Sequence, residues 1–422
     1  MRTVLGILIS GILAFSATAT SFVRGPYSGA PSEDSVTISW RSSAPLPARI
    51  EYDRLSDHQF SGTFVGLLEI PPTESDVPET VHAILDNLDP DTEYIYRIVL
   101  ETTEGEFVST LGQFATEPPP GKTVEFAILA DSQWQWEGEN RLKRIGHAIA
   151  TDETPFDFVL HAGDIVESPA SPNWDHWFAA FDGMLLKAPF IPVLGNHERN
   201  HRSYYDNFVL PPGAGKHEER WWALHWGDVV VVGLDTNVRQ AADIMEQQEW
   251  ARLHLSGPEP HKFVMFHYPV FSSDALHGSG YSYDVIYHPI FVETGVDIVI
   301  NGHAHNYERI QRDGVTYLVV GGGGAVPRPL ADSLVEGSIS AIEGYNFYLR
   351  VTASVDEITV DTISVAQAGE ESFQLTDGRL LDSFSLPVRS AVLTRATRLL
   401  ILLGLLGAAA VGGFLLIRAL NR

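Results

Sequence analysis

Short apolar runs recur along the second two-thirds of the chain, and each is broken at once by residues that carry lone pairs. Val124–Leu129 runs into Asp131-Ser132-Gln133, residues 156–160 into Gly163-Asp164, and residues 190–194 into Gly195-Asn196-His197-Glu198. Residues 263–266 run into His267-Tyr268-Pro269, and residues 296–300 into Asn301-Gly302-His303-Ala304-His305. Continuous apolar runs of this length, bounded by turn residues, predict strands buried on both faces. Helices are expected between them, over residues 139–150, 174–184, 241–255 and 286–293. A hairpin is expected about Gly227-Asp228, and residues 315–320, 345–351 and 358–364 close the domain as β-strands. Strands alternating with helices predict an α/β domain over residues 122–365, two stacked sheets flanked by helices. Acids, amides and imidazoles just past strand ends predict a site along one sheet edge.

Residues 22–116 have a different texture. Val36, Ile38 and Trp40 alternate with small polar residues, as in a half-buried strand. A turn at Asp89-Pro90-Asp91-Thr92 precedes the alternating Tyr94-Ile95-Tyr96, and Tyr94 suits a tyrosine corner, its hydroxyl returning to upstream backbone. This predicts a separate all-β sandwich with no catalytic cluster, joined through the stiff linker 117–121. At the chain start, Arg2, an apolar run over residues 4–15 and Ala17-Thr18-Ala19 predict a signal peptide over residues 1–19. An uncleaved anchor is the competing reading, and both imply export. Residues 366–394 are polar and expected to be loose. Residues 399–417 are uninterruptedly apolar or small between Arg395, Arg398 and Arg418, which predicts a transmembrane helix over residues 395–418. A buried core helix is the alternative there. Gly404, Ala408 and Gly412 fall four apart, a face on which two copies could pair as a homodimer.

Composition narrows the chemistry. At 422 residues the chain is long enough for two domains. Its net charge of -26 repels nucleic acid and anionic membrane surfaces, so no nucleic-acid partner is expected. The same charge repels phosphate esters, so an anionic substrate needs a local positive centre. There is no cysteine, which excludes disulfides, thiol catalysis and zinc-thiolate sites.

The order Asp131, Gly163-Asp164, Gly195-Asn196-His197-Glu198, His267 and Gly302-His303-Ala304-His305 resembles the calcineurin-like metallophosphoesterases. The extension Asn306-Tyr307-Glu308-Arg309 and the amino-terminal module are similar to the purple acid phosphatase branch. In that module Arg24-Gly25-Pro26-Tyr27 resembles the start of a fibronectin type III-like domain. The resemblance covers residues 22–365. It implies two metal ions per chain, with Asp164 bridging, Asp131 and His305 completing one shell, and Asn196, His267 and His303 the other. A metal pair ~3.5–4 Å apart acidifies a water and clamps the attacked phosphoryl group. The resemblance also implies that His197 protonates the leaving oxygen or holds the phosphate, and by spacing it places His277 at the phosphate; a loop histidine without a role is the alternative for His277.

One departure bears on the metals. Purple acid phosphatases carry a Tyr three residues after the bridging Asp, where its phenolate on ferric iron gives their colour, and here that residue is Glu167. Gln133 stands where other metallophosphoesterases carry a further ligand, usually His, and is expected to fill the vacant position, with Glu167 as the alternative. This argues against ferric iron and for a divalent pair such as Mn, Fe or Zn. Trp134 and Trp136 either pack beneath the sheet or stack on a leaving group. The run Gly321–Gly324 lacks the Lys-Ser/Thr of a P-loop and is expected to permit close backbone approach. Glu308 and Arg309 are expected to pair with one another.

The function expected is that of an exported, membrane-tethered phosphatase acting on phosphomonoesters. A phosphodiesterase or nucleotide pyrophosphatase on the same metal core is the enzyme alternative. A non-catalytic cell-surface binding protein is the alternative of another class.

Overall fold

Alternation in the amino-terminal third yields strands: β1 (Phe22–Gly29), β2 (Val36–Ser42), β3 (Ala48–Arg54), β4 (Gly66–Ile70), β5 (Val81–Leu85), β6 (Glu93–Thr102), β7 (Gly105–Val108) and β8 (Gly112–Ala115), with the short helix α1 (Leu55–Ser61) after β3. The computed structural model describes residues 20–389 apart from 76, 134–138, 216–218, 280–281, 369–372 and 377. The expected signal peptide, the apolar stretch at 395–418 with its small-residue face, and Trp134 and Trp136 therefore lie outside the described residues. Among the described residues no helix is long and apolar enough to cross a membrane. The strands pair antiparallel into two sheets, β1-β2-β5 and β4-β3-β6, with β7 and β8 both on β6. Val36, Ile38, Trp40, Ile50, Tyr96 and Ile98 fill the space between them. The Tyr94 hydroxyl accepts from the Asp89 backbone N–H at 2.9 Å, the corner expected of it.

The opposite face of β2 is not the solvated face that alternation predicts: Thr37 and Ser39 are buried too. Ser39 pairs with Tyr27 of β1, and that side of the sheet packs on the second domain. The Tyr27 ring lies 4.9 Å from Phe178, and its hydroxyl donates to the Asn207 carbonyl. Arg24, also buried, donates to Asp175 Oδ1 at 2.7 Å and Asn207 Oδ1 at 2.6 Å. A sandwich face that looks amphipathic in sequence is thus an interdomain face.

The second domain runs β9 (Val124–Leu129), α2 (Glu139–Ala150), β10 (Phe158–His161), α3 (Ser171–Leu185), β11 (Phe190–Pro192), α4 (Arg202–Tyr205), β12 (Gly213–Ala214), β13 (Trp221–Trp226), β14 (Val229–Gly233), α5 (Ala241–Leu255), β15 (His261–Met265), α6 (Tyr283–Ile286), α7 (His288–Thr294) and β16 (Ile298–Asn301). It closes with β17 (Tyr307–Arg312), β18 (Val315–Val320), β19 (Ser338–Ile342), β20 (Tyr345–Ala353), β21 (Glu357–Ala368), β22 (Phe373–Leu375) and β23 (Leu380–Pro387). One sheet has the order β11-β10-β9-β20-β21, with β22 and β23 on β21; the other has β12-β13-β14-β15-β16-β18-β17-β19. Phe126 and Leu160 of the first sheet share one apolar core with Val231, Phe263 and Ile300 of the second. Strands β9, β10 and β11 run parallel, as do β14, β15, β16 and β18. The helix expected over 286–293 is broken at Tyr287, where Pro289 opens α7.

The carboxy-terminal segment corrects two expectations. Within residues 366–394, expected to be loose, the described stretch Leu380–Pro387 is ordered as a strand, because β23 pairs with β21 along most of its length. Leu381, Phe384 and Leu386 are partly buried against the main core, an interrupted pattern too short to stand out among Ser and Asp. Glu308 and Arg309 do not pair with each other, since neighbours on a strand point to opposite faces. Arg309 Nε donates to Asp382 Oδ2 at 2.8 Å, and the Tyr307 hydroxyl donates to the same atom at 2.7 Å. Glu308, buried on the other face, accepts from the Ser273 backbone and hydroxyl at 2.7 Å each. Burial works to raise the Asp382 pKa, but Arg309 and Tyr307 outweigh it and hold the carboxyl below its usual range. Its stabilisation is therefore present above the ordinary carboxylate pKa and lost as pH falls through the lowered one. Asp382→Ala is expected to cost about 2 kcal/mol, the loss of bonds to a charged acceptor, in urea unfolding at neutral pH, with the difference from wild type shrinking in acid.

Candidate metal centre

Parallel strands put their carboxyl ends on one edge, and here two sheets do so side by side. Leu129, His161 and Pro192 lie in register across β9, β10 and β11, while Met265 and Ile300 pair across β15 and β16. Asp131, Asp164 and Asn196 follow the first three strands within four residues, and His267 and His303 follow the other two within two. All five ends therefore reach one level, with Asp131, Asp164 and His267 fully or nearly fully buried.

The chain turns sharply at these ends. Asp131, Asp164 and His303 have φ of 58°, 56° and 70°, a left-handed conformation that a side chain disfavours by roughly 1 kcal/mol or more. Hydrogen bonds hold them there: the Asp131 N–H donates to the Gly163 carbonyl at 3.0 Å, and the His303 N–H to Asp131 Oδ2 at 2.8 Å. Glu198 is the hub beside them. Its buried carboxylate accepts from the N–H groups of Asp164, Ile165, Val166 and Gly195 at 2.7–3.1 Å. Two glycines leave the necessary room. A Cβ on Gly195 would lie 2.1 Å from Asp164 Oδ1, and one on Gly321 would lie 2.0 Å from the Ala304 carbonyl oxygen. The glycine run does permit close backbone approach, as expected of it.

The donor atoms converge in two groups. Asp164, His267 and His303 place one ligand-type atom each within 4.8 Å of one another. His267 Nε2 is 3.2 Å from Asp164 Oδ2 and 3.1 Å from Asn196 Oδ1. In the second group His305 Nε2 is 3.4 Å from Asp131 Oδ1 and 3.2 Å from the Gln133 amide nitrogen. His267 donates its Nδ1 proton to the Ala162 carbonyl at 2.9 Å, and His305 its own to the Val326 carbonyl at 2.9 Å. That anchoring aims each Nε2 at carboxylate and amide groups, an arrangement in which a cation can take the place of the proton shared there. Gln133 Oε1 is buried with no hydrogen-bond partner, the orphaned acceptor that a cation would take up. The residue set therefore fits metal ions, with Gln133 among the donors. Glu167 Oε2 is also without a partner, and Oε1 lies 3.8 Å from His197 Nδ1.

The local potential is strongly negative. Burial tends to raise the Asp164 pKa, yet His267 and His197 hold it well below the carboxylate range. Burial alone would depress His267, but the Asp164 charge pushes it up to about 9. His303, its ring 5.1 Å from His267, is driven well below its ordinary value by burial and by that neighbour's charge. His197 donates Nδ1–H to the Glu167 carbonyl at 2.7 Å, with Nε2 3.8 Å from Asp164 Oδ2. The exposed His277 is drawn in, its ring 4.3 Å from that of His303. All nine residues singled out in the sequence lie in or beside this site. Sequence reasoning gave no role to Glu198 or Arg328; Arg328 Nη1 donates to the His303 carbonyl at 3.1 Å. An acid inside the Gly-Asn-His-Glu block and an arginine between two prolines were the available signals.

Residues 124–307 match the family model for the calcineurin-like phosphoesterases. Its relatives include purple acid phosphatases. It is 27% identical to purple acid phosphatase 1 of Ipomoea batatas over 289 residues, 63% of this chain and 58% of that one. Against the Fe(3+)-Zn(2+) purple acid phosphatase 12 of Arabidopsis thaliana it is 24% identical over 289 residues, 63% of this chain and 59% of that one. The chain thus spans a little over half the length of these curated relatives. In fold it is similar to the purple acid phosphatase PPD1 from yellow lupin (Lupinus luteus) seeds, with a TM-score of 0.69 at 18% identity, covering 86% of this chain and 74% of that one.

Glu198→Ala leaves four buried N–H groups without an acceptor and is expected to cost upwards of about 4 kcal/mol in thermal or urea unfolding. Glu198→Gln, which keeps one carbonyl oxygen in place, is expected to lose clearly less.

Proposed function

We propose that this chain is a metal-dependent phosphoric ester hydrolase that cleaves phosphomonoesters at a site for two cations. The observation that carries the reading is the convergence of one ligand-type atom each from Asp164, His267 and His303 within 4.8 Å, with Gln133 Oε1 buried beside His305 and without a hydrogen-bond partner. In this reading Asp131, His305 and Gln133 hold one cation, Asn196, His267 and His303 the other, and Asp164 is shared. When bound, such a pair supplies Lewis acidity, lowering the pKa of a water and neutralising phosphoryl oxygens. A divalent pair such as Mn, Fe or Zn fits the neutral amides Gln133 and Asn196 and the Glu167 found in place of a tyrosine.

The chain's own groups do the rest. His197 is held by its Nδ1–H on the Glu167 carbonyl, which turns Nε2 toward Asp164. Burial lowers its pKa, but Asp164 and that carbonyl outweigh this and raise it, so it keeps a proton for the departing ester oxygen. His277 stands over His303, where it faces an incoming phosphate. The amino-terminal sandwich acts as fibronectin type III-like support. The patterns at residues 1–19 and 395–418 support export and tethering with the catalytic domain outside the cytoplasmic membrane.

The test is turnover of nitrophenyl monoesters and diesters by metal-reconstituted protein. Monoester hydrolysis is expected to dominate, and Asp164→Asn to reduce it about a thousandfold or more, the equivalent of several kcal/mol of barrier. A faster diester reaction would assign the same core to phosphodiesters, and full activity in Asp164→Asn would remove the mechanism. Gln133→Leu, close in size but without the amide oxygen, is expected to lower bound metal from two ions per chain toward one. Elemental analysis after dialysis reads this directly.

A further inference from the structure

Arg328 lies on the segment Pro327-Arg328-Pro329 that follows the glycine run and doubles back over the His303–His305 turn. It is fixed at two points. Its backbone N–H donates to the His305 carbonyl at 2.9 Å, and Nη1 donates to the His303 carbonyl at 3.1 Å. Both acceptors are neutral, and among the described residues no carboxylate pairs with it. Other arginines of this domain are neutralised: Arg220 by Asp235 at 2.6 Å, Arg309 by Asp382 at 2.8 Å, Arg350 by Asp361 at 3.2 Å. In a chain with 54 acidic and 28 basic residues, a guanidinium without a carboxylate at the mouth of a buried site is held for an anion from outside.

The same His303 has a second neighbour on this side, the His277 ring 4.3 Å from its own. Arg328 and His277 thus form a rim on one side of His303. His277 is positioned by its backbone N–H on Asp274 Oδ1 at 2.8 Å, and Asp274 Oδ2 in turn accepts from Asn306 of the turn after β16, so both oxygens of this carboxylate are engaged.

We propose that Arg328 reads the charge of the substrate: its free guanidinium edge grips the additional terminal oxygen that a phosphomonoester carries and a diester lacks. The proposal rests on the phosphoesterase reading above and gives it a means of selecting monoesters. A monoester near neutral pH is a dianion with three terminal oxygens, whereas a diester is a monoanion with two. A planar fork of N–H donors matches a pair of phosphoryl oxygens, and a hydrogen bond between charged partners is about twice as strong as a neutral one. Each such bond corresponds to roughly a 10- to 100-fold change in affinity.

The test compares the metal-reconstituted full chain with Arg328→Ala and Arg328→Lys. Nitrophenyl phosphate and bis-nitrophenyl phosphate serve as substrates, inorganic phosphate is the calorimetric ligand, and metal content is measured alongside. For Arg328→Ala, kcat/KM on the monoester is expected to fall about 10- to 100-fold, carried mainly by KM, with phosphate affinity falling in parallel. Diester turnover is expected to change by less than about threefold, metal content to stay at the wild-type value, and Arg328→Lys to recover part of the loss. Equal losses on both esters, or loss of metal with activity, would show that Arg328 merely braces the His303–His305 turn and would overturn the proposal. Unchanged phosphate binding in Arg328→Ala would overturn it too. If the wild type cleaved neither ester yet bound phosphate through Arg328, the hydrolase reading would fail while the anion site stood.

Discussion

The Nε2 atoms of His267 and His305 are aimed into the site because their Nδ1–H groups donate to the carbonyls of Ala162 and Val326. Each then faces a side-chain oxygen or amide at little more than 3 Å, inside a buried pocket that also holds Asp131 and Asp164. Such a cluster repels itself, and its cost is offset by what surrounds it. Two parallel strand edges supply the level, three left-handed residues supply the turns, and Glu198 collects the N–H groups that those turns leave unpaired. Much of the domain is scaffolding for one concentration of negative potential.

That concentration was readable in the sequence, because each contributor follows an apolar run and the run sets its height on the sheet. The helices and most strands were equally legible where their apolar periodicity exceeds two turns or four strand positions. Failures came where the signal is relational. The few inward apolar side chains of β23 mean little until β21 lies beside them, and Asp382 reads as solvated until Tyr307 and Arg309 converge on it. The outer face of β2 looks polar because Thr37 and Ser39 are small, yet small residues are what a docking face allows. Glu308 and Arg309 looked like a pair because they are adjacent, and a strand separates adjacent side chains. Arg328 offered only its two flanking prolines, since its position depends on a loop returning to another loop.

Charge links the chain's two scales. A net -26 keeps anions away from most of the surface, so a phosphate reaches the protein only where the field reverses. In the proposed reading, cations held at the edge of the sheets would, together with the arginine beside His303, make such a reversal. Selectivity for an anion is in this sense a property of the whole surface as well as of the pocket.

The contact between the two modules has a thermodynamic corollary. Tyr27 belongs to the sandwich by chain position but packs in the core of the second domain, and Arg24 is buried against α3 with its charge satisfied only by Asp175 across the boundary. Separating the modules intact would expose the aromatic cluster around Phe178 and strand a guanidinium. Heating therefore melts them as one cooperative unit, and a calorimetric trace of the whole chain carries a single endotherm where the domain count alone would suggest two.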